Sequence, residues 1–142
     1  MIINKKKEIF LGQRFDKDKS AWQMPQGGID RGEKELVALK REMLEETGIR
    51  KDYKILIKSN KYFYYKLPKY LQKRLWKGRF VGQKQRWFLI EYFGEDKNIN
   101  IQTEKPEFKK WNWASKEKMI KLIVPFKRKL YKEIVSEFKE FL

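Results

Sequence analysis

Glu42, Glu45 and Glu46 stand together in the run REMLEETG, at helical offsets of three and four residues. On a helix these offsets bring side chains to one face. Carboxylates crowded there repel one another, and a short helix has little reason to carry them unless a positive partner sits among them. A divalent metal ion is one such partner, and phosphate oxygens are its natural further ligands. The plainer alternative is a solvated charged face, held by pairing with the lysines around it. Gly27 and Gly28 precede the run, in a segment that also holds Pro25 and Gly32. A backbone without Cβ atoms there can come close to a phosphate or a metal.

The composition narrows the chemistry. The 142 residues include no cysteine and no histidine. Disulfides, thiolate metal sites and a cysteine nucleophile are excluded, as are imidazole catalysis and histidine-bound zinc. Any metal must be held by oxygen, which favours magnesium or manganese. The length suits one domain. Hydrophobic residues at 41% and aromatics at 15% supply a core. No stretch of roughly 18 apolar residues occurs, so no membrane span is expected. The start MIINKKKEIF lacks the apolar run of a signal peptide, and the cytoplasm is the expected location. Lys and Arg number 35 against 19 Asp and Glu, a net charge of +16. Such a surface draws in polyanions, and nucleic acid is the expected partner. A lysine-rich proteome would give the same excess without one.

The elements that must position these residues follow from pattern. Residues 1–3 and 8–14 read as strands around a polar turn. Residues 16–20 form a polar loop, and 22–32 irregular backbone. Residues 33–47 read as a helix, with Leu36, Leu39, Met43 and Leu44 as its apolar stripe and Gly48 as its stop. Residues 53–65 are strand-like with a break near Ser59 and Asn60. Residues 67–82 form an excursion with a helical turn near 70–75. Residues 85–93 make the strongest strand, buried on much of both faces. Residues 99–101 suggest a short strand, 103–108 a loop carrying Glu107, and 108–113 another strand. Ser115 caps a helix to about Leu122. A last helix is expected over 125–141, with Phe126, Leu130, Ile134 and Phe138 on one face. This order argues for an α/β fold with helices packed on a mixed sheet.

The segment GGIDRGEKELVALKREMLEETGI resembles the Nudix box. The pattern runs Gly27, five residues, Glu33, seven residues, Arg41-Glu42, Met43, one residue, Glu45-Glu46, one residue, Gly48 and Ile49, with every defining position filled. The resemblance implies an α/β/α sandwich with a mixed sheet between helices, forming a single Nudix hydrolase domain over 1–142. It implies that Arg41 pairs with Glu33 and holds the loop against the helix. It also implies cleavage of a phosphoanhydride by water, with magnesium, or manganese, on Glu42, Glu45 and Glu46.

The flanks resemble the bacterial RNA pyrophosphohydrolases and the related dinucleoside polyphosphate hydrolases. The segments are SAWQMPQGGIDRGE at 20–33, YYKLPK at 64–69, GQKQRWFL at 82–89, NIQTEKPEFKKWNW at 100–113 and VPFKRKLY at 124–131. The implied reaction removes pyrophosphate from the triphosphorylated 5′ end of RNA, diphosphorylated ends being a related substrate. The alternative is hydrolysis of dinucleoside polyphosphates of the diadenosine type. By the same resemblance Glu107 adds an acidic group to the metal cluster, together with Gly27, and is a candidate base. Arg14 falls at a phosphate-contacting position, and Ser20, Gln83 and Gln85 near the substrate. Phe126 matches an aromatic that stacks on the terminal base, although its spacing also fits a core residue. Lys127 beside it can contact phosphate. Trp22 and Tyr64 read as core or wall residues.

Residues 58–86 carry ten basic side chains and no acidic one, interleaved with Tyr62, Phe63, Tyr64, Tyr65, Tyr70 and Trp76. Single-stranded RNA meets such surfaces through phosphates and stacked bases, and solvated lysines on a β-rich segment are the plain alternative. One departure stands out. Relatives begin with a tyrosine-arginine segment, whereas this chain starts apparently inside the first strand, without that arginine. A shortened first strand is expected to leave sheet hydrogen bonds unmade. A basic RNA-binding protein with a vestigial box is the reading from another class, and the intact glutamates argue against it.

Overall fold

Apolar side chains alternate along the central strands, so each strand feeds two cores. A computed structural model of the chain describes residues 1–15, 22–72, 79 and 81–142. One mixed sheet contains β1 (Ile2–Ile3), β2 (Ile9–Arg14), β3 (Trp22–Gln23), β4 (Tyr53–Lys58), β7 (Phe88–Tyr92) and β8 (Phe108–Ala114). Its order is β3-β2-β1-β7-β4, with β8 also paired to β2. β1 and β7 run parallel, and the other pairs are antiparallel. Two further strands, β5 (Phe63–Lys66) and β6 (Gly82–Gln85), form a separate hairpin. The helices are α1 (Glu35–Thr47), α2 (Lys69–Gln72), α3 (Lys116–Leu122) and α4 (Arg128–Glu137).

Ile3, Ile9, Leu11 and Leu89 bury against Met119 of α3 and Leu130, Tyr131 and Ile134 of α4. The intervening residues Ile2, Phe10, Phe88 and Ile90 turn the other way and meet Met43 of α1. The sheet is therefore packed between helices, as expected, and β7 is apolar on both faces because both are covered. Tyr131 adds a polar tie. Its buried hydroxyl accepts the Met24 N–H (3.0 Å), which pins the segment leading to Gly27. Burial pushes its phenol well above the ordinary range and keeps it protonated.

Several expected elements differ. α1 begins at Glu35, not at residue 33, and Gly48 with φ of 70° ends it. Leu36 does not belong to its buried stripe, being 51% exposed; the buried positions are Ala38, Met43, Glu46 and Thr47. Leu36 and Met43 lie on one line of the helix, but the first turn overhangs the core. The strand expected over 85–93 is two strands. Gln85 ends β6, and β7 starts only at Phe88, because the Trp87 N–H turns to Ser59 Oγ (3.2 Å). Phe93 is exposed. Residues 99–101 form no strand. The Ile99 N–H bonds to Asp96 O and the Asn100 N–H to Thr47 O (2.9 Å), so this backbone is satisfied without a ladder while Ile99 stays buried. The last helix is broken into a 3₁₀ turn (Pro125–Lys127), α4 and a second 3₁₀ turn (Lys139–Phe141). Leu130, Ile134 and Phe138 are buried as expected. The loop at 16–20 and residues 73–75 of the expected turn lie outside the described residues; residues 70–72 belong to α2.

Candidate active site

Arg41 is the hub that joins loop to helix. Its guanidinium donates to both oxygens of Glu33 (2.9 and 2.8 Å), to Glu42 (2.8 Å), to Glu45 (3.3 Å) and to the Gly28 carbonyl (2.8 Å). The pairing of Arg41 with Glu33 is thus present and bidentate. Glu33 also accepts the Asp30 N–H (2.9 Å), which closes the loop on itself. The bonds from Arg41, aided by Asp30, hold the Glu33 carboxyl down at about 2. A depressed carboxylate contributes stability above its ordinary value, and that contribution fades as pH falls from about 4.5 toward 2. Acid unfolding is expected to show this increment in the wild-type protein and to lack it in Arg41→Ala. Equal acid-side slopes for the two proteins would contradict the tie.

The glutamates of α1 have distinct surroundings. Glu46 is only 6% exposed and accepts the Gln26 N–H (3.0 Å). Burial, and then the charges of Glu107 and Glu42, push its carboxyl up to about 9 against the pull of the Gln26 N–H and Arg14. Glu42 lies against Gly27 so closely that a Cβ at position 27 would fall on its carboxylate. Gly28 has open space at the same place, and its role in the protein is its carbonyl, held by Arg41. Within the protein itself, close packing excludes a side chain at Gly27 and leaves room for one at Gly28. Glu45 is the outermost of the three, and its carboxylate faces Arg41. Glu107, from the loop before β8, pairs with Arg14 at the end of β2.

Among the described residues no three acidic side chains converge on one point as they are oriented. Arg41 draws Glu42 and Glu45 outward, and Arg14 holds Glu107. The donor set nevertheless fits a hard divalent cation. Every available ligand is oxygen, and Glu46 sits buried next to Glu42 and Glu107, whose charges disfavour its ionisation unless a cation joins them.

A cleft of about 490 Å³ opens between the first turns of α1 and the β5–β6 hairpin. Gln26, Gly27, Gly28, Glu42, Gln83 and Gln85 line it. Three of these form an amide row: Gln85 Nε2 donates to Gln83 (2.8 Å) and to Gln26 (3.3 Å), and Gln26 Nε2 donates to Gln83 (3.4 Å). The Trp87 indole fixes Gln85 from behind (3.0 Å). Gln26 is the member that sequence reading missed; its signal was its place directly before Gly27 in the signature segment.

Beyond Gln26 lies Tyr65, whose hydroxyl is set against the Gln26 side chain. Its ring is 6.0 Å from that of half-buried Phe126, and the Lys127 ammonium is 5.0 Å from its centroid. Lys127 is buried, with Nζ 3.4 Å from Gln23 Oε1. Phe126 packs at the edge of the α4 core, as its four-residue spacing allows. Ser20 lies outside the described residues. Trp22 packs at the margin of the core, as expected. Tyr64 does not: it is 65% exposed on the outer face of the hairpin, neither core nor wall.

Among the described residues no helix is long and apolar enough to cross a membrane. The NUDIX domain model matches residues 1–134. Proteins called RNA pyrophosphohydrolase from Rickettsia typhi and Rickettsia canadensis are 50% and 51% identical over 142 residues, covering 100% of this chain and 88% of theirs. Among solved structures, a C. elegans Ap4A hydrolase binary complex matches with a TM-score of 0.69 at 21% identity, covering 99% of this chain and 96% of that one. An E. coli dihydroneopterin triphosphate pyrophosphohydrolase matches with a TM-score of 0.70 at 20% identity, covering 95% and 92%. With its complete box and these relatives along its whole length, the chain belongs to the Nudix family, in the subfamily of the RNA pyrophosphohydrolases.

Proposed function

We propose that the protein hydrolyses the triphosphorylated 5′ end of RNA, releasing pyrophosphate and leaving a 5′-monophosphate. The observation that carries this is buried Glu46, set beside Glu42 and Glu107, with Glu42 itself lining a cleft edged by an amide row. The half-identical RNA pyrophosphohydrolases support the choice of substrate. Magnesium or manganese, held by Glu42, Glu45, Glu46, Glu107 and the Gly27 carbonyl, would neutralise phosphoryl charge and acidify the attacking water.

The chain's own residues do the rest. Glu46, as the carboxylate it would be beside a bound cation, takes the proton as the water oxygen bonds to phosphorus and the anhydride oxygen leaves with pyrophosphate. Arg14 stands beside Glu107 and supplies positive charge to the phosphates. Gln26, Gln83 and Gln85 present amide donors and acceptors to a base edge or to phosphate. Phe126 stacks on a base, Lys127 meets phosphate, and Ser20 is a further proposed substrate contact. Arg41 and Glu33 position α1 without touching substrate. Diphosphorylated RNA ends present the same anhydride, and the cytoplasm is the proposed place of action.

The match to an Ap4A hydrolase complex favours a second reading, dinucleoside polyphosphate hydrolysis. A paired assay separates the two. With RNA labelled at the γ-phosphate, labelled pyrophosphate, or phosphate from a stepwise route, is expected. The kcat/KM for that RNA is expected to exceed that for diadenosine tetraphosphate by at least tenfold. Equal or reversed values would select the second reading. Tight RNA binding without turnover of either substrate would reject both.

A further inference from the structure

The β5–β6 hairpin has two chemically different faces. Phe63 pairs with Gln85 and Tyr65 with Gln83, and these four turn inward to the core and the cleft. Tyr64 pairs with Lys84, and by the period of two both turn outward. Lys61, Lys66 and Lys84 are exposed beside them. Among the described residues none of these three lysines is in an ion pair.

The outer face is also rigidly mounted. Glu35 of α1 accepts from the Tyr62 hydroxyl (3.1 Å) and from Lys58 (3.3 Å), and lies 3.5 Å from Arg86. Arg86 in turn donates to the Ser59 and Asn60 carbonyls. The Tyr62 ring is taken up by two cations, Arg86 at 3.8 Å and Lys84 at 4.1 Å. The Tyr64 ring is more open, with Lys84 at 5.9 Å. An exposed aromatic flanked by lysines that form no ion pair among the described residues presents a ring face and positive charge together, the pair of features a single strand uses. Lys84 and Arg86 also line the cleft, so the face continues directly from its rim.

We infer that the outer face of this hairpin binds the single-stranded body of an RNA, with Tyr64 as a base-stacking platform and Lys61, Lys66 and Lys84 as phosphate contacts. This deepens the RNA reading and rests on it for the identity of the strand. Charge complementarity selects the occupant, because residues 58–86 carry no carboxylate and the neighbouring Glu35 is already engaged by Lys58, Tyr62 and Arg86. Nucleotides past the phosphorylated end would leave the cleft over its rim and lie along this face.

The probe is a 5′-hydroxyl oligoadenylate of about a dozen nucleotides, which carries no cleavable anhydride. Its binding, followed by fluorescence anisotropy, is expected to weaken roughly tenfold in Tyr64→Ala and to persist in Tyr64→Phe. Lys84→Ala is expected to flatten the dependence of log affinity on log salt by about 0.7. On triphosphorylated RNA of the same length, Tyr64→Ala is expected to raise KM without changing kcat, and to leave diadenosine tetraphosphate hydrolysis untouched. Unchanged oligoadenylate affinity in Tyr64→Ala would overturn the inference while leaving the RNA pyrophosphohydrolase reading in place. Tyr64-dependent binding by a wild-type protein that releases nothing from triphosphorylated RNA would overturn that reading and uphold the surface. An equal loss on diadenosine tetraphosphate would assign Tyr64 to the cleft and refute the separate face.

Discussion

Glu46→Gln is expected to lower kcat on triphosphorylated RNA about a thousandfold and, in the presence of a chelator, to raise the melting temperature. The first effect follows from removing a proton acceptor that also serves as a metal ligand. The second follows from burial. The Glu46 carboxyl titrates at about 9 in the folded protein against an ordinary 4.5. A carboxyl raised in this way favours the folded state fully only below its ordinary value. Relative stability then falls as pH climbs through the window between the two values. By pH 7 the loss approaches about 3 kcal/mol, from roughly 1.4 kcal/mol per pH unit. Glutamine does not ionise, and its oxygen can still accept the Gln26 N–H. Thermal scans with chelator should therefore show the variant and wild type close together near pH 5 and several degrees apart at pH 8. Turnover within tenfold of wild type would remove Glu46 from the chemistry. A gap that does not widen with pH would contradict its buried charge.

Gly27→Ala is expected to cost more than a hundredfold in kcat/KM, whereas Gly28→Ala should melt within about a degree of wild type. The contrast is steric. The new methyl at 27 would occupy the place of the Glu42 carboxylate, and that side chain is already tied to Arg41. Either Glu42 swings away or the loop lifts, and each breaks the proposed ligand set. A methyl at 28 meets nothing within the protein. Calorimetric titration with manganese would locate the defect, since weakened binding in Gly27→Ala and normal binding in Gly28→Ala is the expected pair of results. Activity of Gly27→Ala within threefold of wild type would show that Glu42 need not stay where it is.

The box was legible because its signal combines residue type with spacing, and a helix converts spacing into a shared face. Ser115 was equally readable as a cap, since it accepts the Lys118 N–H as its position demanded. The misread places each involve a partner from far along the chain. Leu36 fits the apolar stripe of α1, but nothing in its neighbourhood says that the first turn overhangs the sheet. Ile99 has the apolar character of a strand residue, yet Thr47 supplies the bond that replaces a ladder at Asn100. Tyr64 and Tyr65 are adjacent and alike, and the register with Lys84 and Gln83 alone decides which is buried. In the site, the contact of Gly27 with Glu42 and the stripping of water from Glu46 depend on how the loop folds over α1. No local pattern encodes either.

The parallel pairing of β1 with β7 has a consequence for synthesis. Ile2 is hydrogen-bonded into the sheet beside Ile90, and Ile9 beside Ala114. β1 finds one neighbour at once in β2, Ile3 beside Ile9, but its second neighbour and the β8 partner of β2 come from residues 88–114. Such distant closures slow folding. A nascent chain halted before residue 88 would hold Ile2, Ile3, Phe10 and Leu11 without the cover of Leu89, Phe108, Met119 and Ile134, a natural handhold for a chaperone and a liability wherever translation stalls.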